Sequence, residues 1–301
     1  MNSQKNTDTK SIYLCTFGTD DLKKDKNRFL NQALKFDIFK NIYIYNFSDL
    51  DEKTKKFIKI TSADKQKSKG YNHGYFVWKP HIIKKTLDKI PEDSVLLYAD
   101  IGCVLNIKGK KTLYEYINYC QKYSCVGFQY RSSNESGLKN RNYTYQIYYE
   151  YNYTKMEVFD YFDISKNHEI YNSEAIWAGA FLLKKNEITK NFLDDWIKAS
   201  TIRLLKTEYK SKKNPKLIQS SHDQSIFSIL FKKYKFKSLC ASKETEWVLT
   251  YDSDNNPKKY WNHLSFKPIQ ARRRLTKKLH FWTRVKNYLL SKLNKFKYYK
   301  K

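Results

Sequence analysis

The run Val95-Leu96-Leu97-Tyr98-Ala99 is unbroken by any polar side chain, and it stops on Asp100. An apolar run this short and without alternation reads as a strand buried on both faces, which requires covering layers on both sides of a sheet. Four other stretches have the same character: SIYLCTFG (11–18), NIYIYNF (41–47), CVGFQY (125–130) and AIWAGAFLLKK (175–185). Helical patterns fall between and after them, near 26–37, 80–89, 110–123, 187–206 and 223–234. Strands separated by helices predict an α/β fold with a mixed, mostly parallel sheet flanked by helices. Ligands of such sheets bind beyond the carboxyl ends of strands, the position that Asp100 occupies.

A carboxylate at the end of a buried strand is costly unless a cation or a hydrogen-bond donor satisfies it. Three further segments carry candidate partners. The loop before the strand holds Lys69-Gly70-Tyr71, Gly74-Tyr75 and Trp78-Lys79-Pro80. Glycine lets a ligand approach the backbone, the rings offer stacking faces, and lysine meets phosphate as a point charge. His222-Asp223-Gln224 opens a helical pattern, with Ser220 or Ser221 as its expected cap, and suits the holding of sugar hydroxyls. His263 and Lys267, four residues apart in HLSFKP, suit a diphosphate, with imidazole on a metal and ammonium on phosphate.

Charge shapes the choice of partners. The chain of 301 residues carries 58 Lys and Arg against 30 Asp and Glu, a formal +28. AT-rich coding accounts for part of this, but the distribution is uneven. Residues 271–301 hold 12 basic side chains and no acid, with Leu275, Leu279, Trp282, Leu289, Leu293 and Phe296 recurring at helical steps. This predicts a C-terminal basic amphipathic helix suited to an anionic membrane surface. No apolar run approaches the roughly 20 residues of a membrane span. MNSQKNTDTK lacks the apolar core of a signal peptide, so the expected location is cytoplasmic, peripheral on the inner face of the cell membrane. Five cysteines without a Cys-x-x-Cys pair argue against a disulfide framework or a structural zinc site. No helix-turn-helix, zinc-finger spacing or aromatic RNA-binding block is present, so nucleic acid is not the expected partner. A basic nucleic-acid-binding protein and an inactive scaffold at the membrane are the alternatives to an enzyme.

In combination and in order, these motifs resemble those of bacterial GT-A-fold glycosyltransferases that build capsule, lipopolysaccharide and other surface glycans. The resemblance covers roughly residues 11–270, with YTKMEVFDYF (153–162), AIWAGAFLLKK and HDQSIFSILF (222–231) as its later blocks. It implies a flexible N-terminus (1–10), a GT-A-like transferase domain (11–270) and the basic tail (271–301). A looser likeness to glycogenin-like transferases rests on Asp100 with Gly102, Trp177-Ala178-Gly179, Asp223-Gln224, and His263 with Lys267-Pro268.

That likeness implies transfer of a sugar from a nucleotide-sugar donor, a UDP-sugar first, to a hydroxyl of a glycan or lipid-linked acceptor. Thr16, Phe17 and Gly18 would line the base. Lys69, Trp78, Lys79, Gly102, Ala178, Gly179 and Lys267 would contact the donor. Asp223 and Gln224 would face the reaction centre, with Glu174 as a second candidate base, and retention is favoured over inversion. Asp100 and His263 are the candidate ligands of a divalent metal, Mn2+ or Mg2+. Gly102 stands where the second acid of the usual Asp-x-Asp would be.

Overall fold

The computed structural model describes residues 11–63, 74–131, 147–207, 212–251 and 257–272. Lys69 and all but the first two residues of the basic tail lie outside these, as does the N-terminal segment 1–10. Among the described residues the strands are β1 (Ile12–Phe17), β2 (Phe39–Tyr45), β3 (Val95–Ala99), β4 (Val104–Leu105), β5 (Cys125–Gln129), β6 (Ile176–Lys184), β7 (Lys237–Cys240), β8 (Val248–Tyr251), β9 (Pro257–Tyr260) and β10 (Ile269–Gln270). The helices are α1 (Lys23–Leu34), α2 (Glu52–Ala63), α3 (Trp78–Leu87), α4 (Lys110–Tyr123), α5 (Glu150–Tyr153), α6 (Met156–Tyr161), α7 (Glu169–Asn172), α8 (Glu187–Ala199), α9 (Ile202–Leu205), α10 (Asp223–Lys233) and α11 (Ala241–Glu244).

Six strands form the central sheet in the order β2-β1-β3-β6-β5-β7. β6 runs antiparallel to both of its neighbours, and the other pairings are parallel. The chain is therefore α/β with a mixed, mostly parallel sheet, as the unbroken apolar runs predict. Alternate side chains supply its two faces. Tyr13, Cys15, Leu96 and Tyr98 pack with α3, α8 and α10, whereas Leu14, Val95, Leu97 and Ala99 pack with α1 and α4. Both faces are covered over the inner strands β1, β3, β5 and β6, which are buried along nearly their whole length.

The helix expected over 187–206 is two helices. Ser200 Oγ donates to Trp196 O at 2.7 Å and Thr201 Oγ1 accepts from Leu204 N at 3.4 Å, so side chains end one helix and cap the next. The cap of α10 is His222 rather than Ser220 or Ser221, with a left-handed backbone (φ 52°) and no side-chain cap bond. α2, which the sequence reading did not anticipate, starts from Asp51, whose carboxylate accepts from Thr54 N and Thr54 Oγ1 at 2.8 and 2.6 Å.

β6 carries the irregularity that matters most. Val126 pairs with Leu182 and Phe128 with Trp177, so β6 advances five residues while β5 advances two. The extra length lies over Ala178-Gly179-Ala180-Phe181, a bulge that releases backbone groups from the sheet ladder.

Candidate active site

Asp100 follows β3 directly, and its backbone is fixed from both sides. Its N–H donates to Gly179 O at 2.8 Å, and its own carbonyl accepts from Cys103 N at 2.8 Å. Arg28 of α1 donates to the carbonyls of Ile101 and Cys103 at 2.5 and 2.8 Å, clamping the turn that includes Gly102. A buried strand can thus end on an acid because the turn after it is held rigidly at the rim of a cavity.

Opposite Asp100 stands Lys79 of α3, almost wholly buried. Its Nζ donates to Ala178 O at 3.0 Å, the carbonyl freed by the β6 bulge. It also lies 2.9 Å from Asp223 Oδ2, outside hydrogen-bond angles, and 3.5 Å from Asp100 Oδ1. The side chains of Lys79 and Asp223 are 4% and 5% exposed, and that of Asp100 is 39% exposed. Tyr98 donates its hydroxyl to Asp100 Oδ1. Gln224 Oε1 accepts from Ala178 N at 3.3 Å.

The electrostatics follow from one cation between two anions. Burial works to deprotonate Lys79, but Asp100 and Asp223 outweigh it and hold the ammonium above the ordinary lysine range. Burial pushes the Asp223 carboxyl up to about 6, against the pull of Lys79. The directions agree: one ammonium neutralises one carboxylate, and the deeply buried Asp223 keeps its proton more tightly than an exposed acid. Burial, together with the Asp100 charge and hydrogen bond, drives the Tyr98 hydroxyl well above its usual value.

The segments that deliver Lys79 and Asp223 both enter through backbone outliers. Gly74, Tyr75 and Phe76 are consecutively left-handed (φ 61°, 54°, 63°) just before α3, and His222 (φ 52°) directly precedes Asp223. The two meet, with the Tyr75 and His222 rings 5.0 Å apart. Non-glycine residues in that region cost about 1–3 kcal/mol each and cluster at functional sites.

The trio opens into a cavity of about 900 Å³. Phe17, Gly18, Trp78, Gly102, Ala178, Gly179, His222 and Gln224 line it with the trio itself. The Phe17 and Trp78 rings stack at 4.1 Å. The structure thus gathers most of the expected donor-contact residues at one place. Thr16 is buried behind Phe17 and is not in the wall. Glu174 also lies away from it, with its carbonyl accepting from Gln129 Nε2 at 3.0 Å and its backbone bridged to Tyr149. Lys267 is ion-paired with Glu244 at 2.7 Å and does not line the cavity.

His263 is not brought to Asp100. Its Nε2 faces the carbonyls of Ser242 and Glu246 at 2.9 and 3.1 Å, and burial lowers its pKa. Among the described residues no group of three His, Cys, Asp or Glu side chains is disposed to hold a metal. The donor set around Asp100 does not fit a divalent ion, because Lys79 already fills the place between the two carboxylates.

Other wall residues escaped the sequence reading. Lys259 Nζ lies 4.2 Å from the ring centre of Trp247, and the Arg272 guanidinium lies 5.1 Å from that of Trp261; all four line the cavity. The tryptophans and their neighbouring cations were visible as residues, but nothing in their spacing tied them to Asp100.

No protein-family model matches the chain, and no curated protein sequence matches it. Solved structures of similar outline include apo mouse xyloside xylosyltransferase 1, at 8% identity and TM-score 0.41, covering 78% of this chain and 87% of that one. A glycosyltransferase involved in glycosylation of the major capsid of PBCV-1 gives 9% and 0.41, covering 93% and 99%. The glycosyltransferase GlyE of Streptococcus pneumoniae TIGR4 gives 16% and 0.38, covering 77% of this chain and 46% of that one. All three are glycosyltransferases.

Proposed function

We infer that the chain is a glycosyltransferase that moves a sugar from a nucleotide-sugar donor to a hydroxyl of a glycan or lipid-linked acceptor. The observation that carries this reading is the Lys79–Asp100–Asp223 trio at the carboxyl end of β3, set in the wall of a large, aromatic-lined cavity. A nucleotide base needs an apolar face, for which Phe17 and Trp78 stand at the end of β1. A diphosphate needs cations, which Lys259 and Arg272 supply in the cavity wall. Sugar rings pack on aromatic faces, and Tyr153, Trp177, Trp247 and Trp261 provide them.

In the reaction the donor C1–O bond breaks and the diphosphate leaves with the electron pair. The acceptor oxygen bonds C1 and loses its proton. If Asp223 takes that proton from the far side, the configuration inverts; if the departing diphosphate takes it, the configuration is retained. The order of the motifs favours retention, and the anomeric configuration of the product, read by NMR, separates the two. UDP is the proposed nucleotide. Surface polysaccharide or a lipid-linked glycan is the proposed acceptor, reached at the anionic inner leaflet through the 271–301 tail.

Thermal stabilisation by UDP-, GDP-, CMP- and dTDP-sugars tests the reading. A donor at 100 times its dissociation constant contributes about 2.7 kcal/mol, a readily measured shift. Stabilisation by one nucleotide class, absent in Asp100→Ala, supports sugar transfer. No shift with any donor overturns it.

A further inference from the structure

The geometry points to a cation site already filled by the protein: Lys79 Nζ stands where a divalent ion would have to sit, and donor binding is therefore independent of metal. This rests on the transferase reading above and specifies its cofactor requirement. Three oxygens converge on one point, those of Ala178 (3.0 Å), Asp223 (2.9 Å) and Asp100 (3.5 Å), and the ammonium of Lys79 is at that point. Two carboxylates and a backbone carbonyl are the oxygen ligands that Mg2+ or Mn2+ prefers, but an ion there needs them at about 2.1 Å and needs several water positions besides. The ammonium takes the same oxygens at hydrogen-bond length on a stem that α3 anchors in the core.

Displacing it is unfavourable. Lys79 packs against Phe76 and Tyr98, with its Nζ 5.3 and 5.4 Å from their ring centres, so moving its stem aside means unpacking it from both rings. A divalent ion would also meet like charge at once. The sequence agrees with this arrangement. Gly102 stands where a second metal-binding acid would be, and the one histidine in position for ligation by sequence order, His263, is turned to backbone carbonyls instead. Because Lys79 is itself shared between two carboxylates, the diphosphate charge falls to Lys259 and Arg272 at the rim. The arrangement divides the work of a metal: one buried cation orders the carboxylates, and two others meet the phosphates.

Two measurements on the full chain decide this. The first is the electron paramagnetic resonance signal of free Mn2+ during titration with protein alone. The expected result is no loss of signal at equimolar protein, and stoichiometric uptake overturns the inference without reference to any sugar. The second is calorimetric titration with the nucleotide sugar that stabilises the protein, in EDTA and in MnCl2. The expected dissociation constants agree within about twofold, whereas binding weaker by roughly tenfold or more in EDTA overturns the inference. That outcome leaves the transferase reading standing. No binding of any nucleotide sugar in either buffer removes both. A Lys79→Ala variant, where it folds, empties the site and should now take up Mn2+; a folded variant that takes up none overturns the assignment of a cation site. Where that variant does not fold, the two wild-type measurements decide.

Discussion

At the scale of single residues, the site depends on unequal exposure of two similar acids. Asp100 is partly solvated, and its removal leaves Lys79 with Asp223 and the Ala178 carbonyl. Asp100→Ala also leaves the buried Tyr98 hydroxyl without its acceptor, and should cost about 1–3 kcal/mol while abolishing donor-induced stabilisation. Asp223→Ala strands a buried ammonium and should cost about 3–5 kcal/mol, read from the urea midpoint. The pH dependence has a definite sign. The folded protein holds the Asp223 proton more tightly than the unfolded chain, so this contribution is complete below about pH 4 and is lost as the pH rises through about 6. Unfolding midpoints across that window should fall more for the native chain than for Asp223→Asn, which carries no such proton; parallel profiles would exclude a raised Asp223. Asp100 and Asp223 were legible in the sequence as single acids at a strand end and a helix start. Their common partner was not. Lys79 reads in the sequence as a contact of the donor phosphate, and only the fold brings it to the two carboxylates.

At the scale of elements, five of the six central strands were legible because each is a short apolar run. β7 was not, because Lys237-Ser238-Leu239-Cys240 is half polar and half exposed at the sheet edge. The bulge in β6 was also invisible, since Ala178-Gly179-Ala180 suits a regular strand equally well. Its cause appears only in three dimensions. A Cβ on Gly179 would lie 2.3 Å from the Trp177 indole, so this ring folds back over its own backbone where no other residue fits. Gly179→Ala should displace Trp177, cost about 1–3 kcal/mol and weaken donor binding, since the carbonyl and amide of Ala178 serve Lys79 and Gln224. A thermal midpoint within a degree of wild type, with donor binding intact, would show that the bulge is not what positions Lys79. The expected helix over 187–206 failed for a related reason: apolar spacing continued across Ser200 and Thr201, whose hydroxyls compete for backbone partners.

At the scale of the whole molecule, the C-terminal segment belongs to the site as well as to the tail. β10 pairs with β4 just beyond the turn after Asp100, Ala271 N donates to Thr245 O at 2.9 Å, and Arg272 reaches the cavity wall. A cut meant to remove only the basic tail should therefore follow Arg272, not Gln270. Truncation there should release the protein from anionic vesicles at physiological salt and leave donor-induced stabilisation unchanged; continued sedimentation with vesicles would show that the tail is not the anchor. The wide spacing of the trio also bears on how the protein is made. Lys79 and Asp100 leave the ribosome before Asp223, and at ~5–20 residues per second the interval is roughly 7–30 s. Through that time the nascent chain has an ammonium without its closest counter-ion, on the same helix face that carries Ile82, Ile83 and Leu87 for a core not yet complete. The trio cannot close until Asp223 at the start of α10 is made, so the site is among the last parts of the protein to exist.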